Sequence, residues 1–204
     1  MENSVQGALG LHCAIAKDNG HLMKDSGAIN SGPISGQSIN QLVAGCWHCL
    51  RQCEQLLELL NQDSYTTHAE TNSTIGAHVR HILERYQCFF AGIQTGVIDY
   101  DARKRDKSIE SNIEAASFAL TSLSRRIKSM DLAKLPGTTM QVRESVHPES
   151  PLAEIPSTFD RELMGLISHS THHLAIIALI AKSQGYQLPE DFGKAASTIV
   201  FERR

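Results

Sequence analysis

The side chains best equipped for chemistry in this chain are its histidines. Ten are present, against one tryptophan and four tyrosines, and the run His169-Ser170-Thr171-His172-His173 sets His169 and His173 four positions apart. In an α-helix that spacing leaves two side chains about 40° apart around the axis and one turn apart along it. Their roots then lie ~5–6 Å apart, a gap that two imidazoles can close around a divalent ion through bonds of ~2.0–2.1 Å. His172 lies about 100° from His173 and faces elsewhere. A pair is an incomplete shell, because catalytic zinc sites usually carry three protein ligands and a water. His78 and His81, on an earlier apolar-periodic segment, are the candidates for the third. His78 sits nearer the apolar stripe of its helix. His81 lies on a flank with Ala77, Cys88 and Gly92, small residues that let another helix approach, and the helical wheel leaves both open. An i, i+4 histidine pair also arises by chance and is then structural or exposed; a matching histidine on a second core helix is what favours a metal.

These rings need helices to hold them, and the apolar spacing supplies four. From Ser38, Ile39, Leu42, Val43, Cys46, Cys49, Leu50, Cys53, Leu56, Leu57 and Leu60 recur at helical intervals. Ser38 with Gln41 fits a capping box at the start of that helix. A second helix is expected from about Ser73 to Ala91, with Ile75, Val79, Ile82, Leu83, Tyr86, Phe89 and Phe90 as its stripe and Gly92 and Gly96 marking its end. A third opens on Ser111 with Glu114 and runs to about Met130, where Pro136-Gly137 stops it. The fourth is capped by Ser157 and runs to about Gln184, before Gly185 and Pro189. Its stripe of Phe159, Leu163, Leu166, Ser170, Leu174 and Ile177 carries His169, His173 and Glu162 along one edge, where a pocket between helices would open. Between the third and fourth helices, Met140 to Val146 and Leu152 to Ile155 predict a small hairpin. The fold class expected is therefore all-α, a four-helix bundle with a hairpin between helices three and four, in which metal sites form from side chains on facing helices. Residues 1 to 37 hold six of the 14 glycines and show no apolar period, so they read as a flexible leader ahead of a single domain over 38–204. The tail from Tyr186 to Arg204 is expected to drape over the bundle.

Composition narrows the function classes. A net charge of -3 with no long basic block makes no case for nucleic acid or a membrane surface. No apolar stretch approaches the ~20 residues a membrane-spanning helix needs. Five cysteines, with no secretory signal at the start, argue against a disulfide framework and for the reducing cytoplasm. Cys46-Trp47-His48-Cys49 falls inside a periodic helix, so Cys46, Cys49 and Cys53 read as small buried hydrophobes rather than a redox or zinc motif.

On helix two, Ser73-Thr74-Ile75-Gly76-Ala77-His78-Val79-Arg80-His81-Ile82-Leu83, and on helix four, His169-Ser170-Thr171-His172-His173-Leu174, the chain resembles the DinB-like superfamily of four-helix bundle proteins. The likeness runs from about Gln41 to Phe192. It implies a ligand set of one helix-two histidine and the outer pair of the last helix, which become His81, His169 and His173. His81 is favoured over His78 because the superfamily's ligand is commonly the later histidine, followed as here by Ile82-Leu83-Glu84. Tyr100 to Arg105 and Asp191-Phe192-Gly193 resemble a bacterial subgroup of unassigned function. The common His-His-Arg-Gly-Gln continuation is His172-His173-Leu174-Ala175-Ile176 here, so no single relative's substrate transfers.

The resemblance implies a divalent ion, zinc or nickel with iron as an alternative, a small-molecule substrate such as a low-molecular-weight thiol, and a homodimer. Two function classes follow: a metal-dependent transferase or hydrolase with an open coordination position, or a noncatalytic metal-binding or stress-response bundle. A plain interaction bundle with a polar histidine core is a third. No serine, cysteine or acidic pair stands out as an independent nucleophile, so any chemistry centres on the metal. The charged segment through Arg103, Lys104 and Arg105 reads as a solvated connection, with an anion-holding role as its alternative. Glu162 is a candidate to steady a metal-bound histidine, and His147, beside Pro148, is expected to be exposed.

Overall fold

The computed structural model describes residues 36–68, 73–130 and 139–204, with side chains from Asn40 onward. The part described lies within one compact unit, Ile34–Arg204. The expected leader, and the capping box at Ser38, fall outside the described side chains. Seven helices and three strands are described, in the order α1 (Gly36–Leu59), α2 (Gln62–Thr66), α3 (Ile75–Gly92), β1 (Val97–Asp99), α4 (Lys107–Ser111), α5 (Ile113–Lys128), β2 (Thr139–Glu144), β3 (Ala153–Thr158), α6 (Phe159–Ser183) and α7 (Ala196–Glu202).

The expected long helices are α1, α3, α5 and α6. α1 packs on α5 and α6, and α3 packs on the same two. Each buries the face its periodicity marks: Cys46, Cys49, Leu50, Cys53 and Leu56 on α1, Val79, Ile82, Leu83, Tyr86 and Phe89 on α3, Leu120, Leu123 and Ile127 on α5, and Leu163, Leu166, Leu174 and Ile177 on α6. Each full burial of a leucine or phenylalanine side chain contributes about 1.5–3 kcal/mol. Two buried hydroxyls within this core are matched. The Tyr86 hydroxyl donates to the Cys46 carbonyl at 3.2 Å and receives the Ser170 hydroxyl at 3.4 Å, tying α3 to α1 and α6.

α6 is long and apolar enough to cross a bilayer by length and composition alone, which corrects the expectation that no stretch comes near that length. In this fold Leu163, Leu166, Leu174 and Ile177 of α6 are covered by other helices, while Met164 and Leu179 are exposed. The fold is mostly helical, as expected, with a small three-stranded sheet. β2 and β3 form the expected antiparallel hairpin, with Val142 opposite Ile155, and β1 adds to β2 in parallel, with Ile98 opposite Val142. Val97-Ile98-Asp99 is too short to show an alternating period, so only pairing reveals it.

Two caps differ from expectation. Asn112, not Ser111, caps α5, its side-chain oxygen accepting the Glu114 and Ala115 N–H groups. Thr158, not Ser157, stands at the start of α6 and makes no side-chain bond to the helix backbone: its hydroxyl is donated to the Asp160 carboxylate, and that of Ser157 to Glu162. The tail does fold back: Phe192 is buried, the Gly193 N–H donates to Gln52 on α1 at 2.7 Å, and α7 follows. Gly193, at φ +71°, has a path so close to α6 that a Cβ would meet the Leu174 and Ala175 backbone at 2.8 Å.

Candidate metal centre

α3 and α6 face each other, so the histidines they carry can meet. The Thr74 hydroxyl caps α3 by accepting the Ala77 N–H at 2.9 Å, fixing the turn from which His78 and His81 project. Across from them, the i, i+4 spacing sets His169 and His173 on one side of α6. The rings of His81, His169 and His173 form a nearly equilateral triangle, with centroids 4.7 Å apart for His81 and His169 and 4.6 Å for each of the other two pairs. One nitrogen from each ring lies within 4.8 Å of the others. A tetrahedral ion bound at ~2.0–2.1 Å holds its ligand atoms about 3.4 Å apart, so closing the triangle takes movements on the order of 1 Å.

The residues present fit a cation on a second ground. The Nε2 of His169 is buried and, among the described residues, has no hydrogen-bond partner; an orphaned buried nitrogen is costly unless something absent from the chain itself takes its lone pair or proton. His78 is not one of the three. Its Nδ1 lies 3.0 Å from the His173 Nδ1, which places it as a neighbour bracing one ring of the triangle. His172 is exposed, and so is His147.

Burial holds the three rings uncharged. His81 is pushed down to about 3, by burial first and then by His169 and the cations Arg103, Arg85 and Arg80. His173 is pushed down to about 3 by burial and by His169, His81 and His78. His169 falls to about 4 through burial and Arg85. Neutral imidazoles near pH 7 carry the lone pairs that ligation requires.

The surroundings of the triangle are cationic, and this the sequence reading largely missed. Arg103 is no solvated connection residue: it is half-buried, and its Nη1 donates to the Nδ1 of His81 at 2.5 Å. Its segment is pinned at both ends. Asp99 accepts the N–H groups of Asp101 and Ala102 at 2.9 and 3.0 Å, and the buried Glu84 accepts that of Asp106 at 2.8 Å. Between them Arg105 takes a left-handed φ of 50°, which costs a residue with a Cβ about 1–2 kcal/mol. Arg85 stacks 3.6 Å from the centre of the Tyr100 ring and pairs with Glu144. Glu162 does not steady a ring of the triangle: its two oxygens accept the Tyr100 and Ser157 hydroxyls at 2.7 and 2.5 Å. The sequence signal for Arg103 is its place in the charged run Arg103-Lys104-Arg105, for which an anion-holding role is the alternative.

Compared with protein-family models, curated proteins and solved structures, the chain matches none.

Proposed function

We propose that this chain is a metal-dependent enzyme of the DinB-like kind, a four-helix bundle in which His81, His169 and His173 hold one divalent ion, zinc or nickel with iron as an alternative. The observation that carries the reading is the near-equilateral triangle of three uncharged imidazoles drawn from two facing helices. Three protein ligands leave a coordination position open, whereas a structural zinc usually takes four; among the described residues no fourth cysteine, histidine or carboxylate joins the group. When bound, such an ion acidifies a coordinated water or thiol, or polarises a carbonyl. The chain's own part is to hold three lone pairs on one point, to brace His173 through His78, and to surround the point with Arg103 and Arg85. A low-molecular-weight thiol as co-substrate fits a group of three imidazoles with no cysteine among them, since Cys46, Cys49 and Cys88 are all buried in the core.

Metal analysis of untagged full-length protein tests this. Wild type is expected to retain about one equivalent of zinc or nickel, as a single site would. His81→Ala and His169→Ala are expected to lose it while keeping their helical circular dichroism. His78→Ala should keep the metal with affinity lowered about 10–100-fold, the usual effect of removing a residue that orients a ligand. Equal, trace metal in wild type and variants would end the metal reading. A variant pattern in which His78 and not His81 is indispensable would redraw the ligand set. Turnover of low-molecular-weight thiols by the metal-loaded protein then separates an enzyme from a metal-binding bundle.

A further inference from the structure

We propose that Arg103 is the anion-binding arm of this site, released from His81 when that ring gives its lone pair to a cation, and then free to receive the carboxylate of a small substrate in the cleft that Arg103 itself lines. This deepens the metal reading above and rests on it.

The first step is an argument from lone pairs. A guanidinium only donates, and a neutral imidazole has one nitrogen that accepts and one that carries the proton. With Arg103 Nη1 2.5 Å from His81 Nδ1, Nδ1 is the acceptor and the proton is on Nε2. In that arrangement His81 has no lone pair left for an ion. Ligation through Nδ1 evicts the guanidinium directly. Ligation through Nε2 moves the proton to Nδ1, which then points an N–H at another N–H donor. Either way the Arg103 contact breaks.

The second step asks where the arginine goes. Arg80, Arg85 and Arg143 each have a carboxylate within bridging distance, at Glu84 and Glu110, Glu144, and Glu154 respectively. Arg103 pairs with none among the described residues, and its Nε is buried without a hydrogen-bond partner. Nearby acids are already engaged: Glu84 takes Arg80 and the Asp106 N–H, and Asp99 takes two backbone N–H groups. A half-buried cation beside a site that gains two further positive charges is unfavourable until an anion arrives. The pinned ends of its segment hold the backbone, while a cleft of about 200 Å³, lined by Glu84, Cys88, Gly92, Asp99, Arg103 and Lys104, leaves the side chain room to turn. The planar fork of a guanidinium matches a carboxylate in two parallel hydrogen bonds, which selects that group over a spherical anion.

The test uses full-length protein loaded with cobalt(II), whose visible absorption reports its coordination sphere, titrated with succinate and, as the uncharged control, succinamide. Succinate is expected to shift the band saturably in wild type and succinamide to leave it unmoved. Arg103→Gln should weaken succinate by at least about tenfold, the effect of losing one charge-assisted contact, with Arg103→Lys in between because it keeps the charge and loses the fork. Cobalt affinity in Arg103→Gln should equal or exceed that of wild type, since a competitor for the His81 lone pair is gone. Unchanged succinate binding in Arg103→Gln, or a fall in its cobalt affinity, would overturn the proposal, the latter by making Arg103 a support of His81. Failure of wild type to take up cobalt overturns the metal reading and this one with it; cobalt uptake with no response to succinate overturns this one alone.

Discussion

Each imidazole of the triangle is uncharged for a local reason, burial, and that reason makes the metal-free protein sensitive to acid. The ordinary value of a histidine is 6.5, and in the folded chain His81 and His173 lie at about 3 and His169 at about 4. Below 6.5 the unfolded chain therefore binds more protons than the folded one. The contribution of these rings to stability is complete above that pH and is lost as pH falls from it towards 3 to 4. The urea midpoint of metal-free protein is expected to drop between pH 7 and pH 5, and to drop less steeply in His169→Ala. A midpoint flat across that range would contradict the burial argument. The same rings in a metal-loaded protein would resist acid longer, because protons then compete with the ion.

Among the elements, α3 carries the tightest constraints, because it touches α6 on the histidine side and α4 on the other. At Gly76 an added Cβ would stand 2.0 Å from the Glu110 carbonyl oxygen and 2.8 Å from the Tyr65 ring. The backbone oxygen cannot step aside without moving α4. Gly76→Ala is accordingly expected to destabilise by about 1–3 kcal/mol, the usual cost of overpacking. Gly165 on α6 is the matched control: nothing lies within 4 Å of its Cβ position, so alanine there should stabilise by up to about 1 kcal/mol through helix propensity. Urea unfolding of the two variants, with opposite signs expected, checks the packing of α3 against α4. The periodicity of α3 was plain in its sequence; the need for glycine at 76 was not, since Glu110 is remote along the chain.

For the molecule as a whole, the thiols of α1 report on the core. Burial pushes Cys46 up to about 12 and Cys49 to about 11, and raises Cys53 further. In native protein at pH 8 the peptide spanning these three is expected to stay unlabelled by a maleimide, and to label fully in denaturant; labelling of the native fold would place α1 away from its partners. Because the folded values lie above the ordinary 9.0, the unfolded chain gives up protons first as pH rises. Their contribution is complete below about pH 9 and declines above it, so the midpoint should fall in alkali as well as in acid.

Helix positions, the apolar face of each long helix and the convergence of His169 with His173 could be read from the chain, because a helical period of 3.6 residues is local and repeats several times in each segment. The hairpin was legible too, in alternating runs broken by proline. Long-range geometry was needed for the rest. Whether His78 or His81 joins the triangle depends on how α3 is rotated against α6, a matter of packing that a wheel drawn for one helix does not contain. Arg103 meets His81 from 22 positions further along the chain, and β1 exists only through its pairing with β2. Such contacts arise when separate elements are pressed together around one core, and no repeating pattern within any single element encodes them.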